Sequence, residues 1–323
     1  MTTSVLERFG QVRVGAAATH AGVTVFPLFG SQQGSATYVI LANARAAGAV
    51  DVAELEQASV GMLVAINRGM LPVLILDGEE LVGGRQNRIV NSSVLLPSGR
   101  TALPMSCVEH GRWHERGAAF SSSESSHPSL RRAKAAQVSD ALRTRGAHEA
   151  DQGQIWTDIA VRHNRERITS TTGALADLRD QRRDQLVACE AALPYPVGAI
   201  GMIVAIGGGI VSLDLFDAPE TARVFWPQLV RAAALDGLAV PAGTPIALSR
   251  AIRMLRRVRK TRLTPFHFPG LGVDMRVAGN GVIGSVLVYE GVVVHAALFR
   301  QHRYGPAPLS AHYSVLQGYV AMP

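Results

Sequence analysis

Apolar residues along the chain fall first in short runs of strand length, then at helical spacing, then in short runs again. The runs 23–28, 38–41, 62–66, 73–76, 94–96 and 102–107 are bounded by turn residues and predict strands. Among them, Asp51 reads as the cap of a short amphipathic helix over 52–58. The pattern changes at 121. A polar hinge from Ser121 to Pro128 leads into long segments dense in Ala, Arg, Gln and Asp. Leu130, Ala133, Val138 and Leu142, then Ile155, Ile159 and Val161, then Leu175, Leu178 and Leu186 mark their apolar faces. Pro194 and Pro196 close this zone. Strands return beyond it around two helices, roughly 219–236 and 244–258. The plan is α+β: a mixed sheet with two similar hairpin-containing halves and a helical insertion or layer between them. The boundaries read as an N-terminal tail 1–21, a first strand-rich half 22–120, a helical zone 121–196, a second strand-rich half 197–300 and an irregular tail 301–323.

The two halves are suggested by an internal similarity. Residues 62–77 align without a gap on 202–217, sharing the methionine, Val-Ala-Ile, the third turn glycine and the closing aspartate. The shared outline predicts strand, three-residue turn and strand, with Gly69 and Gly209 in the left-handed position. Chance likeness between apolar hairpins is the alternative. A looser copy runs over 277–291 and includes Gly279, Gly281 and Gly284, which match the dinucleotide fingerprint letter for letter. That fingerprint needs a helix N-terminus after the glycines to hold a pyrophosphate. Here 285–290 reads as a strand, so the glycines belong to a hairpin.

Candidate chemistry concentrates between Asp77 and Ser93. With this segment extended, Arg85, Asn87, Asn91 and Ser93 point one way and Gln86, Arg88 and Ser92 the other, leaving almost no apolar face before Val94. A buried polar group left unsatisfied costs about 1–3 kcal/mol, so the row faces solvent, pairs internally or takes a ligand. Arg85 and Arg88 offer forked donors for phosphate or carboxylate. The amides of Gln86, Asn87 and Asn91 suit a base, a ribose or another amide. Gly83 and Gly84 let backbone approach a ligand closely. The competing account is an edge strand kept polar against aggregation.

Further on, Cys107 reads as a small core residue in preference to a nucleophile activated by His110 and Arg112. Glu109 calls for an arginine, Arg88 or Arg112, or for a ligand. His110 and His114 lack an evident third ligand, so no metal site is predicted. Trp226, Leu229, Val230, Ala233 and Leu238 make a core stripe on the later helix, with Asp214, Asp217 and Glu220 before it. Arg253, Arg256, Arg257 and Lys260 form a cationic stripe, read as a solvated face or as a seat for polyphosphate or an RNA backbone; the lack of interleaved aromatics argues against nucleic acid.

Composition adds limits. The chain has 323 residues, 47 % of them apolar and 18 % charged, enough for a sizeable core. Its net charge of 32 − 25 = +7 is almost all arginine, Lys134 and Lys260 being the two lysines. Two cysteines make no disulfide framework and point to a reducing compartment, the cytoplasm. The start lacks the plan of a signal peptide, and the longest apolar run, 196–211, is short for a membrane span.

The segments from Leu76 to Arg88, from Ser106 to Trp113, from Phe216 to Glu220 and from Trp226 to Leu229 resemble a prokaryotic family, the domain associated with ADP-ribosylglycohydrolases and rhodanese-phosphatases. The likeness spans about 22–299. It implies a bacterial context in NAD and ADP-ribose metabolism and transfers no catalytic residue. The first reading is therefore a domain that binds or processes an ADP-ribose-like, phosphate-bearing molecule. Arg85, Gln86, Asn87, Arg88, Asn91 and Arg112 would bind it, with Glu79, Glu80 or Glu109 as acid or base. The second is a non-enzymatic module whose helical zone meets a protein partner. The third is RNA contact through 253–260. These residues specify no cofactor.

Overall fold

The computed structural model describes residues 2–31, 36–114, 120–240 and 246–301. The chain begins with α1 (Thr2–Gly10), β1 (Arg13–Val14), β2 (Ala18–His20), β3 (Val23–Phe29), β4 (Val39–Ile40) and α2 (Leu41–Ala46). Short strands follow: β5 (Val50–Ala53), β6 (Met62–Asn67), β7 (Val73–Ile75), β8 (Glu79–Val82), β9 (Arg88–Val90), β10 (Val94–Leu96), β11 (Gly99–Cys107) and β12 (Ser121–Ser125). Four helices make the middle zone: α3 (Pro128–Arg145), α4 (Gln152–Glu166), α5 (Leu175–Gln181) and α6 (Arg183–Ala192). The last part holds β13 (Gly201–Ile206), β14 (Gly209–Phe216), α7 (Pro219–Leu238), α8 (Leu248–Val258), β15 (Arg262–Phe266), β16 (Val273–Gly279), β17 (Val282–Tyr289) and β18 (Val292–Arg300). The fold is α+β, as the sequence predicts.

Strands buried on both faces explain why the apolar runs are continuous instead of alternating. Met202 and Val204 belong to one hydrophobic core, while Ile203 and Ala205, between and beside them, belong to another. Both cores share one large antiparallel sheet, ordered β1-β3-β13-β14-β18-β17-β16-β15, with β2 also on β3. One face carries α7 with Phe225, Trp226 and Leu229, and the helical zone with Ile155, Leu178 and Leu186. The other is covered by α1 through Val5 and Phe9 and by α8 through Met254 and Leu255. A second sheet, β12-β8-β9-β11-β6-β5, and a small third one, β10-β7-β4, enclose a separate core that includes Leu63, Ile75, Leu81 and Leu103. The pair β4–β7 is parallel and the other pairs are antiparallel.

Several expectations change. The similarity of 62–77 to 202–217 is not one of structure. β13 and β14 form a hairpin through Gly207 and Gly208, whose φ of +56° and +79° suit a two-residue turn. β6 and β7 sit in different sheets, with β6 on β5 and β11. Asn67 occupies the corresponding corner, donating to the Leu71 carbonyl and accepting from the Gly69 N–H, and the chain turns away. Asp51 caps no helix, because it lies in β5. Val50 and Val52 are buried on one side of that strand while Asp51 faces outward to Arg68. A period of two with β-branched residues won over the capping signal. The polar stretch from Ser121 is no hinge: Ser121–Ser125 pairs with β8 at a sheet edge, and α3 starts at Pro128. Leu41 opens α2 instead of closing a strand. Of the predicted helix faces, Ala133 is half-buried and Val161 is exposed. The other residues named for the middle zone are buried. The predicted helix start at 244 and the tail from 302 onward lie outside the described residues.

Gly279, Gly281 and Gly284 do lie in a hairpin, β16–β17. Gly284, at φ +147°, has its backbone so close to β18 that a Cβ would stand 2.0 Å from the Ala297 carbonyl oxygen. Strand packing, not a cofactor, requires that glycine. Among the described residues no helix is long and apolar enough to cross a membrane.

Candidate functional site

β8 and β9 are joined through Gly83 and Gly84, at φ +139° and +50°. A Cβ on Gly84 would meet the Phe120 ring at 2.3 Å, so the turn is pressed against the core. β9 lies between β8 and β11 and is not an edge. That removes the account of the polar row as a blunted edge; the polar edge strand of this sheet is β12. Gln86, Asn87, Arg88, Asn91, Ser92 and Ser93 are all buried. The row is folded inward and largely pairs within the protein.

Glu109 and Arg112, just after β11, organise it. Arg112 Nε donates to Glu109 Oε1 at 2.8 Å and Nη2 to Oε2 at 2.6 Å. Its remaining donors reach the Gly84 carbonyl at 2.5 Å and Asn87 Oδ1 at 3.2 Å. Glu109 also accepts from the Asn87 N–H at 3.0 Å and from Thr172 Oγ1 at 2.9 Å. Burial alone would raise its pKa, but the Arg112, Asn87 and Thr172 bonds outweigh burial and hold it below the usual carboxylate range. Gln86 Nε2 donates to the His110 carbonyl at 3.3 Å. The two segments singled out by sequence, 76–88 and 106–113, thus meet in space. Asn91 lies apart from that junction, donating to the His148 carbonyl and accepting from Ser106. Glu79 accepts from the Leu76 N–H at 2.9 Å, and Glu80 is ion-paired with Arg179.

Arg88 is the exception. Its side chain is 0 % exposed. Nη1 donates to the Gln86 carbonyl at 2.9 Å, but Nε and Nη2 have no hydrogen-bond partner among the described residues. Its nearest carboxylate oxygen, Glu54 Oε1, is 3.8 Å away. Burial lowers the Arg88 pKa against the opposing pull of Cys107 and Glu54. Gln86 Oε1, Glu80 Oε1 and Glu54 Oε2 are likewise without a partner. Such atoms are rare in folded proteins, and four residues on neighbouring segments share them. Glu54 Oε1 also accepts from the Arg85 N–H, at 3.0 Å, which links the buried cluster to the surface. There the half-exposed Arg85 guanidinium stands 5.6 Å from the ring centre of Trp113, which is 47 % exposed.

Cys107 is a core thiol, as expected: burial pushes its pKa up, and it donates to the Glu109 carbonyl. His110 packs edge-on against Trp156, and no group of metal-binding side chains occurs among the described residues.

A second polar cluster was not foreseen. Arg131 on α3 donates from Nε to Asp77 Oδ1 at 3.1 Å and from Nη2 to Asp214 Oδ1 at 2.6 Å. Lys134 reaches Asp77 Oδ2 and the Asn91 carbonyl, both at 2.7 Å. His295 joins Ser93 Oγ at 2.7 Å and Asp214 Oδ1 at 3.3 Å. All six side chains are buried, so α3 is bolted by charge between the large sheet and the β7–β8 corner. The signal was present: Arg131 and Lys134 share the α3 face of Leu130, Ala135 and Val138. Burial raises the Asp214 pKa, but Arg131 and His295 more than reverse this and hold it at about 2. His127, at the head of α3, is pushed down to about 3 by burial and by Arg162, against the pull of Asp236.

Both groups bind more protons unfolded than folded, His127 between pH 3 and about 6.5 and Asp214 between pH 2 and about 4. Stability is therefore expected to fall continuously as pH drops from 7 to 3, measured by urea midpoints across pH. His127→Gln should flatten the upper part of that curve, and an unchanged slope between pH 6.5 and 4 would contradict the assignment.

The sequence pattern of the ARG and Rhodanese-Phosphatase-superfamily-associated Protein domain, ARPP-1, matches residues 11–299. The chain belongs to that family. No curated protein and no solved structure matches it. The ARPP-1 match takes in both sheets carrying the polar row and the charge cluster, and it ends one residue before the close of β18.

Proposed function

We propose that this ARPP-1 domain binds an ADP-ribose- or NAD-like ligand, its phosphates on Arg88 and its base against Trp113. The observation that carries the reading is the buried Arg88 guanidinium, with two nitrogens unpartnered among the described residues and its carboxylate at 3.8 Å. A charge buried in that condition costs folding free energy. An anionic oxygen is the partner that a guanidinium fork fits best. Arg85 and Trp113 add a cation and an aromatic face at the surface, on which a purine stacks. Arg112 and Glu109, committed to each other, form the frame that positions Asn87 and Gln86. Of the three carboxylates considered for proton transfer, Glu80 keeps one oxygen without a partner, but its register opposite Ile89 puts it on the sheet face away from Arg88, beside Arg179, so the reading is one of binding and assigns no acid or base. The family's association with ADP-ribosylglycohydrolases agrees with this ligand class.

A ligand that binds only the folded state stabilises it by mass action, about 2.7 kcal/mol at a hundredfold excess over Kd. Saturating ADP-ribose is expected to raise the melting temperature by several degrees. Trp113→Ala should halve that rise or better while leaving the ligand-free melting temperature unchanged, since the ring is half exposed. No rise with millimolar ADP-ribose, NAD or AMP would remove the reading.

A further inference from the structure

The buried arginines of this protein mostly meet carboxylates: Arg112 meets Glu109, Arg131 meets Asp77 and Asp214, Arg179 meets Glu80, and Arg276 meets Asp274. Nearer the surface, a group of arginines, Arg250 and Arg253 exposed and Arg257 and Arg300 half-buried, stands together without a carboxylate. Arg250, Arg253 and Arg257 on α8 and Arg300 at the end of β18 line a partly open cavity of about 160 Å³, with Gly209, Ile210 and Met254. No carboxylate lines it, and none of the four arginines forms an ion pair among the described residues. The β16–β17 turn draws two of them together. Arg257 Nη1 and Arg300 Nη1 both donate to the Asn280 carbonyl, at 2.9 and 3.2 Å, and Arg300 Nη1 also donates to the Gly281 carbonyl at 2.7 Å. Gly281, at φ +69°, has the left-handed backbone that this turn needs and that glycine adopts most readily.

Gathering like charges around a hollow is unfavourable without a counter-ion. Burial, and after it the neighbouring Arg257, lowers the Arg300 pKa. Guanidinium forks suit phosphate oxygens. The hollow is smaller than the roughly 300–1,000 Å³ of a site for a drug-sized ligand, and it has no aromatic wall for a base. We propose that this cavity is a second, separate anion site that takes a compact polyphosphate group, a di- or triphosphate, on Arg250, Arg253, Arg257 and Arg300. It lies on the face of the large sheet covered by α8 and shares no residue with the Arg88 cluster, so neither site depends on the other.

The test is isothermal titration of the full chain with sodium tripolyphosphate, and in parallel with sulfate, ADP and oligouridylate at matched ionic strength. The expected result is one tripolyphosphate site that sulfate does not displace at equal concentration. Arg257→Gln with Arg300→Gln should weaken it at least about tenfold, and Arg256→Gln, on the same helix but not lining the cavity, should leave it unchanged. ADP binding in this cavity as tightly as tripolyphosphate would place the phosphates on a nucleotide, and the same double variant would weaken it equally. Arg88→Met should leave tripolyphosphate binding intact whatever it does to ADP-ribose. No tripolyphosphate heat, equal competition by sulfate, indifference to the double variant, or tighter binding of oligouridylate that grows with its length would each overturn the proposal.

Discussion

Arg131→Met is expected to cost about 3–5 kcal/mol of folding stability, the loss typical of removing one member of a buried ion pair. The guanidinium serves two carboxylates, Asp77 and Asp214, neither exposed by more than 2 %. Lys134 would still neutralise Asp77, so the damage falls on Asp214, left with His295 alone at 3.3 Å. The same logic predicts partial repair. Arg131→Met combined with Asp214→Leu removes the stranded charge as well as its partner, and should be more stable than Arg131→Met alone. Urea unfolding of the four proteins in the cycle measures both numbers. A single substitution costing under about 1 kcal/mol would show that this cluster does not fasten α3 to the sheets.

Glu109→Gln should be nearly as costly, about 3 kcal/mol, although it changes one atom. Arg112 is 3 % exposed and would keep its bonds to the Gly83 and Gly84 carbonyls and to Asn87 while losing its counter-charge. The loss should also spread to the ligand. Glu109 holds the Asn87 N–H, and with it the register of the segment carrying Gln86 and Arg88. Reduced stability together with a diminished ADP-ribose shift is the expected pair of results. Full stability in denaturant would mean that the carboxylate is no anchor.

Much of the fold was legible because the apolar runs in the strands are long enough to show through their contexts. β6, β7, β10 and β13 lie on apolar runs rich in Val, Ile, Leu and Met, as strands buried on both faces demand. Misreadings arose where a local signal was outvoted by pairing. Asp51 has the chemistry of a cap, but Val50 and Val52 find a partner strand in β6. The turn after β6 looks like the turn after β13, yet Asn67 bonds within its own loop where Gly207 and Gly208 allow a tight hairpin. At the site, the sequence showed that the polar row was unusual and that Glu109 needed an arginine. It could not show which one, because Arg112 over Arg88 depends on how the 83–87 turn folds back. The Asp77, Arg131, Asp214 and His295 cluster went unseen for a related reason. Charges on an apolar helix face resemble ordinary solvated residues until three distant segments are brought together.

The choice of Arg112 by Glu109 is what leaves Arg88 buried without a hydrogen-bonded carboxylate, and on that the ligand reading depends. The direct measurement pairs wild type with Arg88→Met, recording stability in urea and ADP-ribose affinity by calorimetry. Methionine fills similar space and carries no charge to desolvate, so ligand-free stability should be unchanged or higher, while affinity falls at least about tenfold. A large loss of stability, with ADP-ribose binding untouched, would show that Arg88 belongs to the scaffold and that the ligand, if bound, sits elsewhere.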